Sequence, residues 1–89
     1  MSKEFNETMY FKMEKQNENK TVELMRNVYN SLLEKEYEPV NQIIGYIISG
    51  DPTYITSHNN ARRLIRQKDR SELLEELLLF YLKNNNIIE

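Results

Sequence analysis

From Thr21 onward the apolar residues Val22, Met25, Val28, Tyr29, Leu32 and Leu33 recur at spacings of three and four, the period that lines up side chains on one face of an α-helix. The pattern predicts a first helix over 21–36. Thr21 suits its N-cap, where a hydroxyl oxygen accepts from a backbone N–H that has no partner inside the helix. Pro39 suits the first turn of a second helix, because the N–H it lacks would be unpaired there in any case. Val40, Ile43, Ile44, Ile47 and Ile48 keep the same period up to Gly50, a residue type that readily takes the left-handed conformation at helix ends. Asn41 and Gln42 break any period of two, so 39–49 reads as a helix and not as a strand. Tyr46 adds bulk on a further side, and a helix apolar around most of its circumference is expected to be buried.

Asp51 is placed to cap a short turn that starts at Pro52. A third helix over 57–68 offers only Ala61, Leu64 and Ile65 as an apolar face and is expected at the surface. Asp69 and Glu72 have the spacing of a capping box, which sets the start of a fourth helix near Asp69. Leu73, Leu74, Leu77, Leu78, Phe80 and Tyr81 give that helix a broad apolar face, and the run Asn84 to Asn86 ends it.

Residues 1–20 carry no such stripe. Four bases (Lys3, Lys12, Lys15, Lys20) balance four acids (Glu4, Glu7, Glu14, Glu18) among Asn and Gln, the composition of a flexible tail. One denser patch within it, Thr8-Met9-Tyr10-Phe11, either docks elsewhere or forms a short ordered element on the core. The chain thus divides into a tail, 1–20, and a helical domain, 21–89. It is expected to be all-α, a small compact bundle of four to five helices. With 89 residues there is room for one core, and two Gly and two Pro are too few for a turn-dense β-sandwich.

Composition narrows the chemistry. There is no Cys and the only His is His58, so no disulfide frame and no thiolate or His-rich metal site is expected. No cofactor is implied either, because neither a Gly-rich phosphate loop nor a nucleophile with a base at catalytic spacing occurs. The chain is therefore not expected to be an enzyme, and His58 reads as a surface residue near a helix start. No stretch of apolar residues is long enough to serve as a membrane span or signal core, which makes a cytoplasmic location the expectation.

Net charge is −2, but it is unevenly spread. Arg62, Arg63, Arg66, Lys68 and Arg70 face the single acid Asp69, whereas 71–89 sums to −3. Arg62 and Arg66 are four apart and share a helix face. Guanidinium forks at that spacing suit phosphate or acidic side chains; the alternative is a solvated face paired with Glu75 and Glu76. A second functional class is a small nucleic-acid-binding regulator that uses the basic helix 57–70. The acidic net charge and the long connection between the second and third helices count against it.

The segment Pro39-Val40-Asn41-Gln42-Ile43-Ile44-Gly45-Tyr46-Ile47-Ile48-Ser49-Gly50-Asp51-Pro52-Thr53-Tyr54-Ile55, followed by Ala61-Arg62 and Ile65-Arg66, closely resembles the IreB family of small regulatory phosphoproteins of Gram-positive bacteria, the ReoM-like proteins among them. The likeness runs from Thr8 through Glu75-Glu76-Leu77 to Tyr81-Leu82-Lys83. It implies an all-helical homodimer, phosphorylated by a membrane PASTA-type Ser/Thr kinase and dephosphorylated by the partner phosphatase. It also implies a role in tuning cell-wall (peptidoglycan) synthesis and cephalosporin tolerance through Clp-protease turnover of the enolpyruvyl transferase that begins peptidoglycan synthesis. By this resemblance Thr8 is the phosphorylated residue, and Arg62, Arg66 and Arg70 contact the partner. The chain departs from the family in having Glu36 and Glu38 around Tyr37, where Gly and Asn are usual. It also has Thr56 and Ser57 in place of Pro and Arg, and only Ser2 as a further hydroxyl before Thr8.

Two expectations combine these strands. A core of about 70 residues is marginal alone, so the second or fourth helix is expected at a two-fold interface. A phosphate on Thr8 would bring roughly −1.5 to −2 of charge to a neutral tail, and the arginines at 62 and 66 are its expected sink.

Overall fold

The computed structural model describes residues 7–88, with side chains for 20–88. Four α-helices follow one another: α1 (Glu7–Glu34), α2 (Pro39–Ser49), α3 (Ala61–Ile65) and α4 (Arg70–Asn84), with short 3-10 turns at Pro52–Tyr54 and His58–Asn60 between α2 and α3. No strand occurs among the described residues. The all-α expectation is met.

The core is small and central. Val28 and Leu32 of α1, Ile43 and Tyr46 of α2, Ile55 of the connection, Ala61 and Ile65 of α3, and Leu73 of α4 are its buried apolar side chains. Leu24, Met25 and Ile47 pack against it from the edge. Every element therefore donates one or two residues to one cluster, and the five-residue α3 contributes two of them.

Helix α1 begins well before the expected start at Thr21. Thr21 is no N-cap; it is buried inside the helix, and its Oγ1 donates to Glu76 Oε1 at 2.7 Å. Glu, Lys and Gln, which fill much of 7–20, are good helix formers, so a helix already paid for by packing at Val28 and Leu32 extends backward without an apolar stripe of its own. Of the expected tail, residues 1–6 lie outside the described residues, as does the side chain of Thr8.

The C-terminus of α1 is closed by two backbone bonds around Glu36. Tyr37 N–H donates to Leu32 O (2.9 Å) and Glu36 N–H to Leu33 O (2.9 Å), the paired bonds of a Schellman motif. The position between them is Glu36, at φ 66°. A left-handed conformation costs a side-chain-bearing residue about 1–2 kcal/mol, partly offset by the entropy a glycine loses on folding, about 0.5–1 kcal/mol. Glu36→Gly is therefore expected to stabilise the protein by about 0.5–1 kcal/mol, seen as a raised midpoint in urea denaturation with an unchanged slope. A lowered midpoint would mean that Glu36 makes a compensating contact.

Helix α2 has the expected bounds. It ends at Gly50, at φ 77°, whose N–H donates to Tyr46 O. The positive φ calls for glycine at Gly50, and a Cβ there would also have to displace the Arg70 guanidinium, 2.7 Å away at Cζ. At Gly45 a Cβ would sit 2.5 Å from Tyr54 Cε1, so a larger residue would have to push the Tyr54 ring aside. The expectation that α2 is buried all round is corrected. Ile43 and Tyr46 are buried, but Val40, Ile44 and Ile48 are 62%, 48% and 77% exposed, because α1, the following turn and the start of α4 leave one side of α2 uncovered.

The expected third helix, 57–68, is shorter and deeper than its sequence suggested. Asn59 and Asn60 take left-handed backbone angles (φ 55° and 61°), a conformation Asn tolerates better than most residues, and this breaks the helix before Ala61. Ala61 and Ile65 are fully buried rather than superficial. Asp51 and Asp69 are the N-caps expected, accepting from Thr53 N–H at 3.0 Å and Ser71 N–H at 2.8 Å. The final Asn run also acts as read: Asn86 is left-handed, and Ile87 N–H closes back onto Leu82 O at 2.9 Å.

Candidate functional site

Because α3 buries Ala61 and Ile65, the intervening and following positions are turned outward. Arg62, Arg63 and Arg66, together with Ser57, Asn60 and Gln67, line an open recess of about 450 Å³. Six hydrogen-bonding side chains meet there, three of them cationic and none acidic.

The arginines do not play one part. Arg62 is half-buried; its Nε donates to Ile55 O at 2.8 Å, and its backbone N–H to Thr56 O at 3.0 Å. It thus ties α3 to the strand-like connection before it while its outer nitrogens remain on the recess wall. Arg63 and Arg66 are exposed, and no carboxylate among the described residues pairs with either. Arg70 lies apart. The chain turns after Ile65, and Arg70 opens α4, where its Nη1 donates to Ile47 O at 2.8 Å beside Gly50. There it neutralises a carbonyl at the C-terminal end of α2, and it does not line the recess.

The alternative pairing with Glu75 and Glu76 is taken by another cation. Lys68 Nζ sits 2.6 Å from Glu76 Oε2, and Thr21 holds the other oxygen, Oε1. One carboxylate thus joins α1, the α3–α4 turn and α4, and it pairs with none of the arginines.

Arg63 and Gln67 were not picked out by sequence reasoning. Arg63, Arg66 and Gln67 stand three and four apart, so the signal lay in the spacing, since such positions share one rim on a helical turn. The end of α3 at Ile65 takes Arg70 out of that row.

His58 is a clamp and not a lone surface residue. Its Nε2 lies 2.7 Å from Glu34 Oε1, which also accepts from Asn59 Nδ2 at 3.3 Å. Asn27 Nδ2 reaches Asn59 O at 3.4 Å. The turn that forms one wall of the recess is therefore pinned to the last turns of α1. The His58 hydrogen bond holds the Glu34 carboxyl below its ordinary range, and the Thr53 and Ser71 hydroxyl and amide bonds do the same for Asp51 and Asp69. A carboxyl lowered by folding adds stability that is fully present above its unfolded value and is lost as pH falls through the folded value. Thermal denaturation is thus expected to show a plateau near neutrality and a loss that sets in below about pH 4.5, shallower in Glu34→Gln. An unchanged acid limb in that variant would remove the clamp from the stability balance.

A second surface lies between α2 and α4. Tyr29, Val40, Ile44, Ile48, Leu74 and Leu77 are among the side chains around an open groove of about 520 Å³ whose lining is wholly apolar. Past it, α4 also exposes Phe80 (69%) and Tyr81 (62%), and Leu73 is its only buried residue. Exposed apolar side chains gathered around one groove are the usual mark of an interaction surface.

Helix α2 and helix α3 do not form a helix-turn-helix: α3 is five residues long, and two 3-10 turns separate it from α2, where that motif needs a turn of about three or four residues before a full recognition helix. No described helix is long and apolar enough to cross a membrane.

Comparison with known proteins fits these features. Over residues 6–83 the sequence matches the family described as IreB regulatory phosphoprotein. It is 54% identical to a UPF0297 protein of Ruminiclostridium cellulolyticum over 81 residues, covering 91% of this chain and 92% of that one. It is 58% identical to a UPF0297 protein of Acetivibrio thermocellus over 78 residues, covering 88% and 87%. The match over residues 6–83, together with relatives more than half identical over most of their length, places the chain in the IreB family of regulatory phosphoproteins.

Proposed function

We propose that this protein works by binding and not by catalysis, as a homodimeric switch whose state is set by phosphorylation of Thr8. The observation that carries this is the family match over 6–83, which spans Thr8 and the arginines within one stretch. The upstream enzymes are a PASTA-type Ser/Thr kinase and its cognate phosphatase. The output is control of peptidoglycan synthesis and cephalosporin tolerance through Clp-dependent turnover of the enolpyruvyl transferase, with the Clp machinery or the transferase itself meeting Arg62, Arg66 and Arg70. The protein acts in the cytoplasm, where the kinase domain and these partners are.

Dimerisation is supported by the apolar groove between α2 and α4, since the second copy of one patch is the partner always present at equal concentration. The partner face is supported by Arg63 and Arg66, which pair with no carboxylate among the described residues. The test of the switch is chemical. Incubation with the kinase domain and ATP should place one phosphate on Thr8, located by mass spectrometry, and Thr8→Ala should take up none. In cells, Thr8→Ala should change the half-life of the transferase. Phosphate on another residue, with normal regulation in Thr8→Ala, would overturn the proposal.

A further inference from the structure

We propose that the recess formed by Ser57, Asn60, Arg62, Arg63, Arg66 and Gln67 is a phosphothreonine-binding site, in which Arg63 and Arg66 supply the ligating guanidinium groups and Arg62 is a positioning residue. It rests on the preceding section only for the choice of a phosphorylated ligand.

The chemistry of the walls selects the ligand. Every lining side chain can donate hydrogen bonds, and none carries a negative charge. A single carboxylate is satisfied by one guanidinium fork. A phosphate monoester brings roughly −1.5 to −2 of charge and three acceptor oxygens directed away from one another, which calls for donors arriving from several sides. Two exposed arginines, an amide at Gln67, an amide at Asn60 and a hydroxyl at Ser57 do so. Volume agrees, since about 450 Å³ lies within the range of small-ligand sites and leaves space for the threonine and a neighbouring residue.

The site is also held in shape before any ligand arrives. Arg62 is fixed through Ile55 O, and the Asn59-Asn60 turn is pinned to α1 by Glu34 and Asn27. The nearby carboxylate of Asp51, which feels the charge of Arg62, already accepts from Thr53 N–H and Oγ–H at its Oδ1. It does not fill the recess.

The ligand does not come from the same chain while α1 is intact. Thr8 stands near the start of α1, about 28 Å along the helix from Asn27, and Asn27 is the residue that touches the turn beside the recess. The phosphothreonine is therefore carried by a second copy or by another protein, and its chemistry is the same in both cases.

The test titrates the isotopically labelled full-length protein with a synthetic peptide of residues 4–13 phosphorylated on Thr8. Parallel titrations use the unphosphorylated peptide, a phosphothreonine peptide of unrelated sequence, and inorganic phosphate. Amide shifts are expected at Arg63, Arg66 and Gln67. The Kd should rise at least tenfold in Arg63→Ala and in Arg66→Ala and stay unchanged in Lys83→Ala, with the circular dichroism of all three variants equal to that of the parent. Preference for the 4–13 sequence assigns the ligand to a second copy, and equal binding of the unrelated phosphopeptide assigns it to other proteins; inorganic phosphate should compete with either. Equal binding of the unphosphorylated peptide overturns the proposal, as does phosphate-dependent binding that survives Arg63→Ala, or the absence of shifts around the recess. Kinase modification of Thr8 is read separately by mass spectrometry, so a failed titration beside a correctly placed phosphate would sink this site and leave the switch standing.

Discussion

Ile48→Glu is expected to turn a dimer into a monomer without unfolding it. Ile48 is 77% exposed in the protomer, so its own fold does not depend on that side chain, yet it sits in the apolar groove with Ile44, Val40 and Leu77. If that groove closes on a second copy, each buried aliphatic side chain contributes about 1.5–3 kcal/mol. Two-fold symmetry makes every substitution count twice. A glutamate there also carries an unpaired charge into the interface, at a cost of several kcal/mol per ion. The summed change exceeds about 4 kcal/mol, which is roughly a thousandfold in dissociation constant. Light scattering at micromolar concentration should give the dimer mass for the parent and the monomer mass for Ile48→Glu and for Leu77→Glu, at equal helicity. A dimer that survives both changes lies on another surface, the exposed stretch around Phe80 and Tyr81 being the remaining candidate.

That expectation shows what periodicity does and does not carry. The spacing of apolar residues placed α2 and its ends correctly, because Pro39 and Gly50 act through local backbone preferences that no tertiary contact has to supply. It could not say which apolar residues are covered. Val28 and Leu32 belong to the same broad apolar stripe as Val22, Tyr29 and Leu33, yet the first two are buried and the other three about half exposed. The difference lies in which helix crosses there, and that is set by long-range packing. The same limit applies to α3. Its apolar face was read correctly as Ala61, Leu64 and Ile65 and its depth wrongly, since a short helix wedged between others buries small and branched side chains that a longer surface helix would leave half wet.

For the site, charge clustering along the chain was enough to find the basic segment, and the family resemblance supplied Thr8 and the arginine positions. Geometry redistributes the parts. Arg62 and Arg66 do share the recess, whereas Arg70 reaches back to α2. No sequence spacing reveals that link, because it depends on the turn at 66–69. The resemblance also flagged Ser57 as a lost charge on this face, and Ser57 does line the recess beside Arg62, Arg63 and Arg66.

The redistribution predicts that function and stability separate among the arginines. Arg66→Glu is expected to abolish regulation. It reverses a charge at the open recess, where no described carboxylate is paired with it, and an exposed substitution without partners moves stability by less than about 0.5 kcal/mol. Arg70→Glu should do the reverse in stability. It removes the donor to Ile47 O, a loss of about 1 kcal/mol. It also sets a carboxylate against the C-terminal carbonyls of α2, a dipole cost that the same carboxylate at the first position of α4 roughly offsets. For a domain of this size each kcal/mol shifts the melting temperature by about 4–8 °C, so the two variants should differ by several degrees. Arg62→Glu falls between them, losing the bond to Ile55 O and a charge on the recess wall together. The readouts are thermal denaturation of the purified variants and the half-life of the enolpyruvyl transferase in cells that carry them. If Arg66→Glu melts as early as Arg70→Glu, the recess arginines are structural. A normal transferase half-life in Arg66→Glu at parental stability would move the partner contact away from α3.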